Sequence, residues 1–494
     1  MIDNLSWVVA YPEILLLIMA CVIALVDLGV KTPLRTVTHF LSMLTLGGLA
    51  VLLASYAQTG QTIYGFGGMV VSDPMGNWLK CFASISLMAT LVYGRNYAAS
   101  RDMLRGGELY TLSLFALLGI FVMISGHNFL VIYLGLEMLT LSSYALVAMN
   151  RDNARSTEAA MKYFVLGALA SGFLLYGMSM MYGATGSLDL ARVLEVISSG
   201  QHNKQVLILG VVFVVTGLAF KLGAVPFHMW IPDVYQGAPT VVTLLIGAAP
   251  KLAAFAIVMR LLVEGMLPLS IDWQQMMAVL AVGSLLIGNL AAIAQTNLKR
   301  MLAFSTISQM GFLLLAFVAG NAGGNYSNTT NAYSAGMFYA VTYVLTTLAT
   351  FGVIMMLSRR DFESEELADL AGLNVRSPVL AGIMAICMFS LAGIPPLVGF
   401  YGKLAVLQAL ITSGLSVHIG LAIFAVLMSL IGAFYYLRVV KVMYFDAPMQ
   451  TASIEAPADA RAVLSINGLL VLILGIVPSS LMTLCSQAIA GLFR

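Results

Sequence analysis

The sequence predicts an all-α fold: a polytopic membrane protein of about fourteen transmembrane helices, with two inverted five-helix repeats and two broken helices. Hydrophobic residues make up 60% of the 494 positions and charged residues only 9%, whereas soluble globular domains carry roughly 25% charged residues. The apolar runs approach the roughly 20 residues that a helix needs to cross a bilayer, and Lys and Arg collect in alternate loops. This composition excludes a soluble enzyme.

Apolar stretches and the breaks between them define the predicted spans. In chain order the spans are 8–28, 36–56, 78–95, 109–125, 128–149, 160–183, 206–225, 240–263, 275–296, 301–320, 332–357, 378–412, 417–444 and 463–486. The longest gaps, 57–77 and 184–205, are expected to form loops or short amphipathic pieces. No basic segment precedes the first span, so a cleaved signal peptide is not expected.

The distribution of Lys and Arg predicts the orientation of the chain. Of the 24 such residues, 15 fall on one face when the spans are threaded in order, four fall on the other face, and five lie inside spans. The majority face, which includes Lys299 and Arg300, is predicted to be cytoplasmic by the positive-inside rule. The minority face carries Arg192, Lys204, Arg260 and Arg494. Both termini are therefore expected on the outer side.

Two spans are predicted to be broken. The apolar segment 377–413 has Lys403 as its only charge, and at about 1.5 Å per residue it is too long for one straight crossing. It contains Gly393-Ile-Pro-Pro396, which cannot continue a regular helix, so two half-helices joined by unwound backbone are expected. The span 206–225 runs directly into Pro226, which indicates a second interruption.

The two breaks predict an inverted repeat. They fall in the fourth helix of each unit when spans four to eight form one unit and spans nine to thirteen form the other. Because each unit has an odd number of helices, the second enters the membrane in the opposite sense. The predicted segments are three N-terminal helices, two five-helix repeats and a C-terminal helix, at residues 1–105, 106–265, 266–446 and 447–494.

Ionisable residues inside the spans are the candidate functional residues, because each costs roughly 2.5 to 3.5 kcal/mol at the bilayer centre on insertion scales. Glu137 lies near the middle of the fifth span and is the only acid deep in any predicted span. A proton-carrying role explains this position. The alternative is a protonated carboxyl that hydrogen-bonds a neighbouring helix.

Three lysines are equally deep. Lys221 lies just before the first break, Lys251 follows Pro250, and Lys403 follows the second break. Burial disfavours the charged form of an amine, so a buried lysine can gain and lose a proton, whereas arginine stays charged. Permanent ion pairing is the alternative, but one deep acid cannot neutralise several deep lysines.

Three other residues are weighed against structural roles. Lys162 is a candidate for proton transfer, but it lies near the cytoplasmic end of its span, where its side chain can also simply reach the polar interface. Lys80, beside Trp78, is expected to be an interfacial anchor. His228 follows Lys221 by two helical turns and is a candidate link between that lysine and water, with packing at the kink as the alternative.

No motif predicts a cofactor in this chain. The sequence shows no Gly-rich dinucleotide fingerprint, Walker loop or cysteine cluster. The cysteines are scattered, so neither a disulfide framework nor a metal site is expected: they are Cys21, Cys81, Cys387 and Cys485. The net charge of +2 predicts no nucleic-acid partner.

Residues 221–240, Lys-Leu-Gly-Ala-Val-Pro-Phe-His-Met-Trp-Ile-Pro-Asp-Val-Tyr-Gln-Gly-Ala-Pro-Thr, resemble the antiporter-like subunits of respiratory complex I. Further stretches support the resemblance, at 134–137, 158–164, 295–300, 305–308, 390–396 and 399–403. The resemblance covers nearly the whole chain. It implies inverted five-helix repeats and a row of charged groups across the middle of the membrane.

The resemblance also implies roles for individual residues. In that family the helix-five glutamate matches Glu137, the broken-helix lysine matches Lys221, and the helix-eight lysine matches Lys251. The residue of broken helix twelve matches Lys403, and some sister subunits carry glutamate there.

The function that the resemblance implies is that of a proton-translocating membrane subunit of NADH:quinone oxidoreductase. NADH, FMN, iron–sulfur clusters and quinone are then expected in partner subunits, with no cofactor in this chain. Its expected partners are other membrane and peripheral subunits, including neighbouring antiporter-like subunits, in a bacterial inner membrane with both termini periplasmic. The alternatives are a subunit of a Na⁺/H⁺ antiporter complex and a passive membrane scaffold.

Overall fold

The computed structural model describes residues 4–200, 203–321, 326–360, 362–449, 454 and 456–493, and this part of the chain is almost entirely helical. In chain order the helices are α1 (Asn4–Val9), α2 (Tyr11–Asp27), α3 (Thr36–Gln58), α4 (Pro74–Ser100), α5 (Glu108–Ser125), α6 (Phe129–Val147), α7 (Ala154–Thr185), α8 (Leu190–Ser199), α9 (Lys204–Leu222), α10 (Trp230–Gly237), α11 (Thr240–Gly247), α12 (Ala249–Val258), α13 (Ser270–Ile293), α14 (Leu298–Gly320), α15 (Tyr326–Leu357), α16 (Leu373–Arg376), α17 (Pro378–Ala392), α18 (Val398–Thr412), α19 (Ser416–Phe445), α20 (Ala458–Ile476) and α21 (Ser479–Ala490).

Twelve helical segments of the described residues are long and apolar enough to cross a membrane. They correspond to twelve of the predicted spans, and α2 and the pair α17 and α18 supply the other two. A helix satisfies its backbone hydrogen bonds internally, as the hydrocarbon region requires. The predicted polytopic all-α fold is confirmed.

Helices α9 and α17 end in the same way, at the two predicted breaks. Gly223 follows α9 with a φ of +83°, and Gly393 follows α17 with a φ of +87°, conformations that glycine adopts without steric strain. The amide of each glycine donates to the carbonyls three and four residues back, and the next amide donates to the carbonyl five residues back. This motif terminates a helix. Both predicted interruptions are confirmed, and each is followed by a cis X-Pro bond.

Two further interruptions were not predicted. The eighth span is divided into α11 and α12 at Ala248, where φ and ψ are −107° and −94°, and it ends in a π-helical turn, Met259–Glu264. The last span, predicted as continuous over 463–486, is divided just before Pro478 into α20 and α21. Pro250 and Pro478 have no amide hydrogen to donate to the preceding turn, which explains why neither helix continues.

The two long gaps between predicted spans contain short elements. Residues 57–77 include an antiparallel hairpin of β1 (Ile63–Gly65) and β2 (Val70–Ser72). Residues 184–205 include α8, which buries one face through Leu190, Val193 and Ile197. The expected short amphipathic piece is confirmed in α8, whereas the hairpin was not predicted.

Close glycine contacts join the first two helices of each predicted repeat. Between α5 and α6, a Cβ on Gly119 would lie 2.4 Å from the amide nitrogen of Leu139, and Gly135 makes the reciprocal contact. Between α13 and α14, a Cβ on Gly288 would lie 2.7 Å from the amide nitrogen of Ser308. Small residues allow such close approach of two backbones. The two helix pairs therefore pack in the same manner.

The prediction that Lys80 is an interfacial anchor is wrong. The side chain is 1% exposed, and its Nζ lies 3.0 Å from Oε1 of Glu13 and 2.8 Å from Oγ of Ser125. Glu13 comes from α2 and is itself buried, so Glu137 is not the only acid available to a buried lysine. The partner was missed because it lies at the start of a distant span.

The sequence also places Arg260 on the outer polar face, but the structure buries it. Its Nη1 lies 2.7 Å from Oδ2 of Asp73 and 2.6 Å from Oε1 of Glu264. His127, in the loop between α5 and α6, lies 3.8 Å from Glu264, and burial and the charge of Arg260 lower the pKa of this histidine. The cluster borders a cavity of about 1420 Å³ that α21 also lines. Arg260 is thus neutralised inside the bundle.

Candidate functional site

The three deep lysines project into the interior of the helix bundle from different elements. Lys221 lies in the last turn of α9, Lys251 in the first turn of α12, and Lys403 in α18. All three side chains are buried. The predicted burial of these lysines is therefore correct, and the partners of each ammonium decide what it can do.

Lys251 caps the carbonyl end of α9. Its Nζ donates to the carbonyl of Leu222 at 2.9 Å and lies 3.5 Å from the carbonyl of Lys221. The last carbonyls of a helix have no amide partner of their own. The ring of Trp230 lies 5.8 Å from the same ammonium, within the range of a cation–π contact.

Lys403 caps the carbonyl end of α17. Its Nζ donates to the carbonyls of Leu391 and Ala392 at 2.9 and 3.1 Å, and to Oγ of Ser429 at 2.8 Å. The ring of Phe312 lies 4.9 Å from the ammonium. Lys403 thus connects α18, the second half of this broken span, to the end of α17, the first half.

The two caps share one geometry, which the sequence reasoning missed. The carbonyl end of a helix carries about half a negative charge. The backbone therefore supplies a counter-charge that is not counted when only acidic side chains are considered. By this geometry the counterpart of Lys403 in the first half of the chain is Lys251, although Lys221 lies in the broken helix itself. A Gly-X-X-Pro pattern at both breaks, Gly223 to Pro226 and Gly393 to Pro396, was the available signal.

Lys221 faces α6 and α7 across a narrow cavity. Leu136, Thr140 and Gly217 are among the residues that line it. Glu137 lies beside them on α6, and its carboxylate acts electrostatically on the ammonium of Lys221. No ion pair of 4.0 Å or less joins the two side chains in the described structure, and Oε1 of Glu137 is buried without a hydrogen-bond partner.

The charge of Lys221 in turn acts on Lys251. Electrostatic influence therefore links Glu137 to Lys221 and Lys221 to Lys251. A change in the charge of any one of them alters the cost of protonating the next.

Lys162 and His228 occupy more peripheral positions. The side chain of Lys162 is 43% exposed and pairs with Glu158 at 2.7 Å and Asp233 at 2.8 Å. His228 is half-buried in the segment between α9 and α10. Among the described residues it makes no hydrogen bond with Lys221. Neither candidate therefore forms a hydrogen bond with a deep lysine in the described part of the chain.

A hydrogen-bonded network of uncharged side chains adjoins Lys403 and was missed. Gln309 donates through Nε2 to the carbonyl of Leu391 at 3.0 Å and to the hydroxyl of Tyr436 at 2.9 Å. The hydroxyl of Tyr339 donates to Oε1 of Gln309. Since Leu391 also accepts from Lys403, the network reaches the lysine through one shared carbonyl. Isolated Gln and Tyr residues in apolar helices gave no charge signal in the sequence.

The structure was also searched for side chains that could bind a metal ion together. Within its described residues, no three or more His, Cys, Asp or Glu side chains lie together as metal ligands would. Cys21 is exposed, and the other cysteines are buried as free thiols.

Comparison with known sequences gives extensive matches. The family described as NADH:quinone oxidoreductase/Mrp antiporter, transmembrane, matches residues 126–432. NADH-quinone oxidoreductase subunit N of Polaromonas naphthalenivorans is 72% identical over 491 residues, covering 99% of this chain and 98% of the relative. Subunit N of Herminiimonas arsenicoxydans is 60% identical over 490 residues, covering 99% of each chain.

Solved structures agree with the sequence matches. A chain of respiratory complex I from Thermus thermophilus with bound aureothin superposes with a TM-score of 0.79 at 32% identity, covering 96% of this chain and 98% of that one. A chain of the Mrp complex from Dietzia has a TM-score of 0.82 at 20% identity, covering 99% and 97%, and this match shows the fold alone. Given these identities over nearly its full length, the chain belongs to the subunit N family of NADH-quinone oxidoreductase.

Proposed function

We propose that this chain is the proton-translocating membrane subunit of an NADH-quinone oxidoreductase in a bacterial inner membrane. The observation that carries the proposal is the pair of buried lysines, Lys251 and Lys403, each bound to the carbonyl end of an interrupted helix. Such a lysine sits beside weak, fixed counter-charge in a dry interior, where it can release its proton. The names of the relatives supply the complex in which this chemistry operates.

The proposed mechanism is electrostatic. Glu137 stabilises the ammonium of Lys221, Lys251 relays protons laterally, and Lys403 exchanges them with the outer side. Weakening the influence of Glu137 on Lys221 drives the proton of that lysine onward. Lys162 and His228 are retained as proton-transfer candidates at the cytoplasmic side. Moving each charge requires about 2.3 kcal/mol per 100 mV of membrane potential.

The proposed partners supply the redox chemistry. NADH, FMN, iron–sulfur clusters and quinone belong to other subunits, and neighbouring antiporter-like subunits flank this one in the membrane. Both termini lie in the periplasm, as the Lys and Arg distribution favours. Residues 106–265 and 266–446 form the inverted repeats, supported by their similar glycine contacts and helix breaks.

Substitution of Lys221 by arginine tests the proton-carrier role. Arginine keeps the positive charge but does not release a proton at physiological pH. Lys221→Arg is therefore expected to lower proton translocation per NADH by about tenfold or more in vesicles that contain the whole complex. Assembly is verified on a native gel.

Other outcomes of this experiment separate the alternatives. Full proton translocation by Lys221→Arg would reduce Lys221 to a fixed charge. If Glu137→Gln and Lys403→Ala also pumped normally in assembled complex, the passive scaffold would be correct. Purification of the chain with antiporter subunits, without redox partners, would instead favour a Na⁺/H⁺ antiporter complex.

A further inference from the structure

Lys299 is a buried lysine that the proposed mechanism does not use. It is the second residue of α14, on the face that the distribution of Lys and Arg predicts to be cytoplasmic. The structure leaves it only 2% exposed. Its Nζ donates to the carbonyl of Ala238 at 2.8 Å, at the end of α10. No carboxylate lies within 4.0 Å of this ammonium in the part of the chain that the structure describes.

Two carboxylates that act on this lysine from longer range are partly exposed. Residues 362–366, here named the acidic loop, lie between α15 and α16. Glu363 and Glu365 of this loop act on the ammonium, as does Arg101 of α4 with the opposite sign. The side chains of Glu363 and Glu365 are 37% and 19% exposed. Two partly exposed carboxylates therefore lie within electrostatic range of Lys299.

Backbone and side-chain contacts fix the acidic loop in this place. The amide of Leu298 donates to the carbonyl of Glu365 at 2.5 Å, and the amide of Leu367 donates to the carbonyl of Thr296 at 3.0 Å. Nε of Arg101 lies 2.6 Å from Oε1 of Glu363. The backbone of the acidic loop is thus held against the start of α14, and the carboxylate of Glu363 is held against α4.

The carbonyl that Lys299 binds lies just before α11, the helix that leads to the interruption before Lys251. The carbonyl of Ala238 also accepts from the hydroxyl of Thr243 at 3.3 Å. At the far end of α11, a Cβ on Gly247 would lie 3.0 Å from the buried hydroxyl of Tyr235, which belongs to α10. Gly247 is the last residue before the interruption at Ala248, and Lys251 follows in the first turn of α12.

We propose that Lys299 is the proton-uptake residue of this face. It receives a proton from water through Glu363 and Glu365 and passes that proton towards Lys251. The inference rests on the proposed function, in which Lys251 relays protons. In the uptake step a carboxyl group that has received a proton from water returns to a carboxylate as the neutral amine of Lys299 becomes an ammonium. In the release step that ammonium becomes a neutral amine as Lys251 gains the same proton, so no co-reactant is needed. If Lys299 were only a cap for α10, any cation with suitable donors would serve.

The first experiment compares Lys299→Arg and Lys299→Met in the whole complex in vesicles. Arginine keeps a charge and donors for the Ala238 carbonyl but holds its proton. Both variants are therefore expected to lower proton translocation per NADH by about tenfold or more, with assembly intact. Full proton translocation by Lys299→Arg would overturn the proposal in favour of a structural cap.

A second variant keeps the proposal testable if changes at Lys299 impair assembly. Glu365→Gln removes a carboxylate whose ion-pair partner, Arg155, is exposed. Losing that negative charge destabilises the ammonium of Lys299, so its protonated fraction falls first at high pH. The alkaline limb of the pH profile of proton translocation is expected to move to lower pH by about half a unit. An unmoved profile would overturn the proposal.

Two controls complete the design. Lys441→Met removes an exposed lysine on the same face, paired with Asp446, and is expected to pump like the parent complex. Lys251→Met tests the proposed function itself. Normal pumping by Lys251→Met would refute the lateral relay, whereas impaired Lys251→Met together with normal Lys299→Arg would refute the uptake role alone.

Discussion

At the scale of single residues, the partner of a buried lysine decides its role. Lys80 and Lys251 are equally buried, but Lys80 lies against the carboxylate of Glu13, and Lys251 lies against the carbonyl of Leu222. A carboxylate supplies a full negative charge, whereas a helix end supplies about half. Lys80 is therefore bound in a buried ion pair, and Lys251 has the weaker counter-charge that the proposed proton release requires.

Substitution of Lys80 is expected to destabilise the protein without any role in proton transfer. Lys80→Met leaves Glu13 buried without its cation, which costs about 3–5 kcal/mol for pairs of this kind. The double variant Glu13→Gln with Lys80→Met is expected to recover much of the loss, because no buried charge remains unpaired. Thermal denaturation of the purified complex measures both effects.

Lys441→Met is the matched control for this prediction, because the pair of Lys441 and Asp446 lies at the surface. Exposed pairs contribute at most about 1 kcal/mol. If Lys80→Met were as stable as Lys441→Met, the pair with Glu13 would contribute nothing.

At the scale of elements, the interruptions of the helices position the site. A terminating glycine after α9 and another after α17 leave free carbonyls inside the bundle, and these carbonyls bind the lysines. The interruption at Ala248 directs the first turn of α12, with Lys251, towards the end of α9.

A side chain on Gly393 is expected to disturb the cap of α17. The φ of +87° is unfavourable for alanine by about 1–2 kcal/mol. Its Cβ would also lie 3.0 Å from Cδ of Lys403. Gly393→Ala is therefore expected to lower proton translocation severalfold in assembled complex.

Gly382→Ala, within α17, serves as the control, since no atom lies within 4 Å of its added Cβ. Proton translocation per NADH in vesicles distinguishes the two variants. Equal pumping by Gly393→Ala and Gly382→Ala would mean that the geometry of the cap is not needed.

The breaks after α9 and α17 could be predicted from the sequence because glycine and proline residues stand at both positions. The turn at Ala248 was not predicted, because alanine gives no signal of a helix end and Pro250 alone is compatible with the first turn of a helix. The sequence identified the deep lysines but not what they bind. A backbone carbonyl is present at every position, so only the fold shows which carbonyls are free to accept a hydrogen bond.

At the scale of the whole molecule, charge is distributed unequally between the two faces. The segments predicted to be cytoplasmic gather ion pairs such as Arg101 with Glu363 and Arg300 with Asp233. The opposite face contains the β-hairpin, α8 and the large cavity beside Arg260. Orientation in the membrane therefore determines which of these surfaces meets the acidic compartment.

Reporter fusions test that orientation. A fusion at Arg360 is expected to activate a reporter that works in the cytoplasm, and a fusion at Gly200 one that works in the periplasm, because Lys and Arg favour the cytoplasmic face. A reversed pair of signals would invert the proposed orientation and with it the direction of proton uptake.

The carbonyl caps also determine what the lysines can respond to. A carboxylate loses its charge when the surrounding compartment becomes acidic enough to protonate it, whereas a peptide carbonyl does not titrate in that range. The counter-charge beside Lys251 and Lys403 is therefore the same however steep the proton gradient has become. Only displacement of the helix end changes it. The attraction of these carbonyls for the two lysines is thus set by the position of the helix ends and not by the acidity of either compartment.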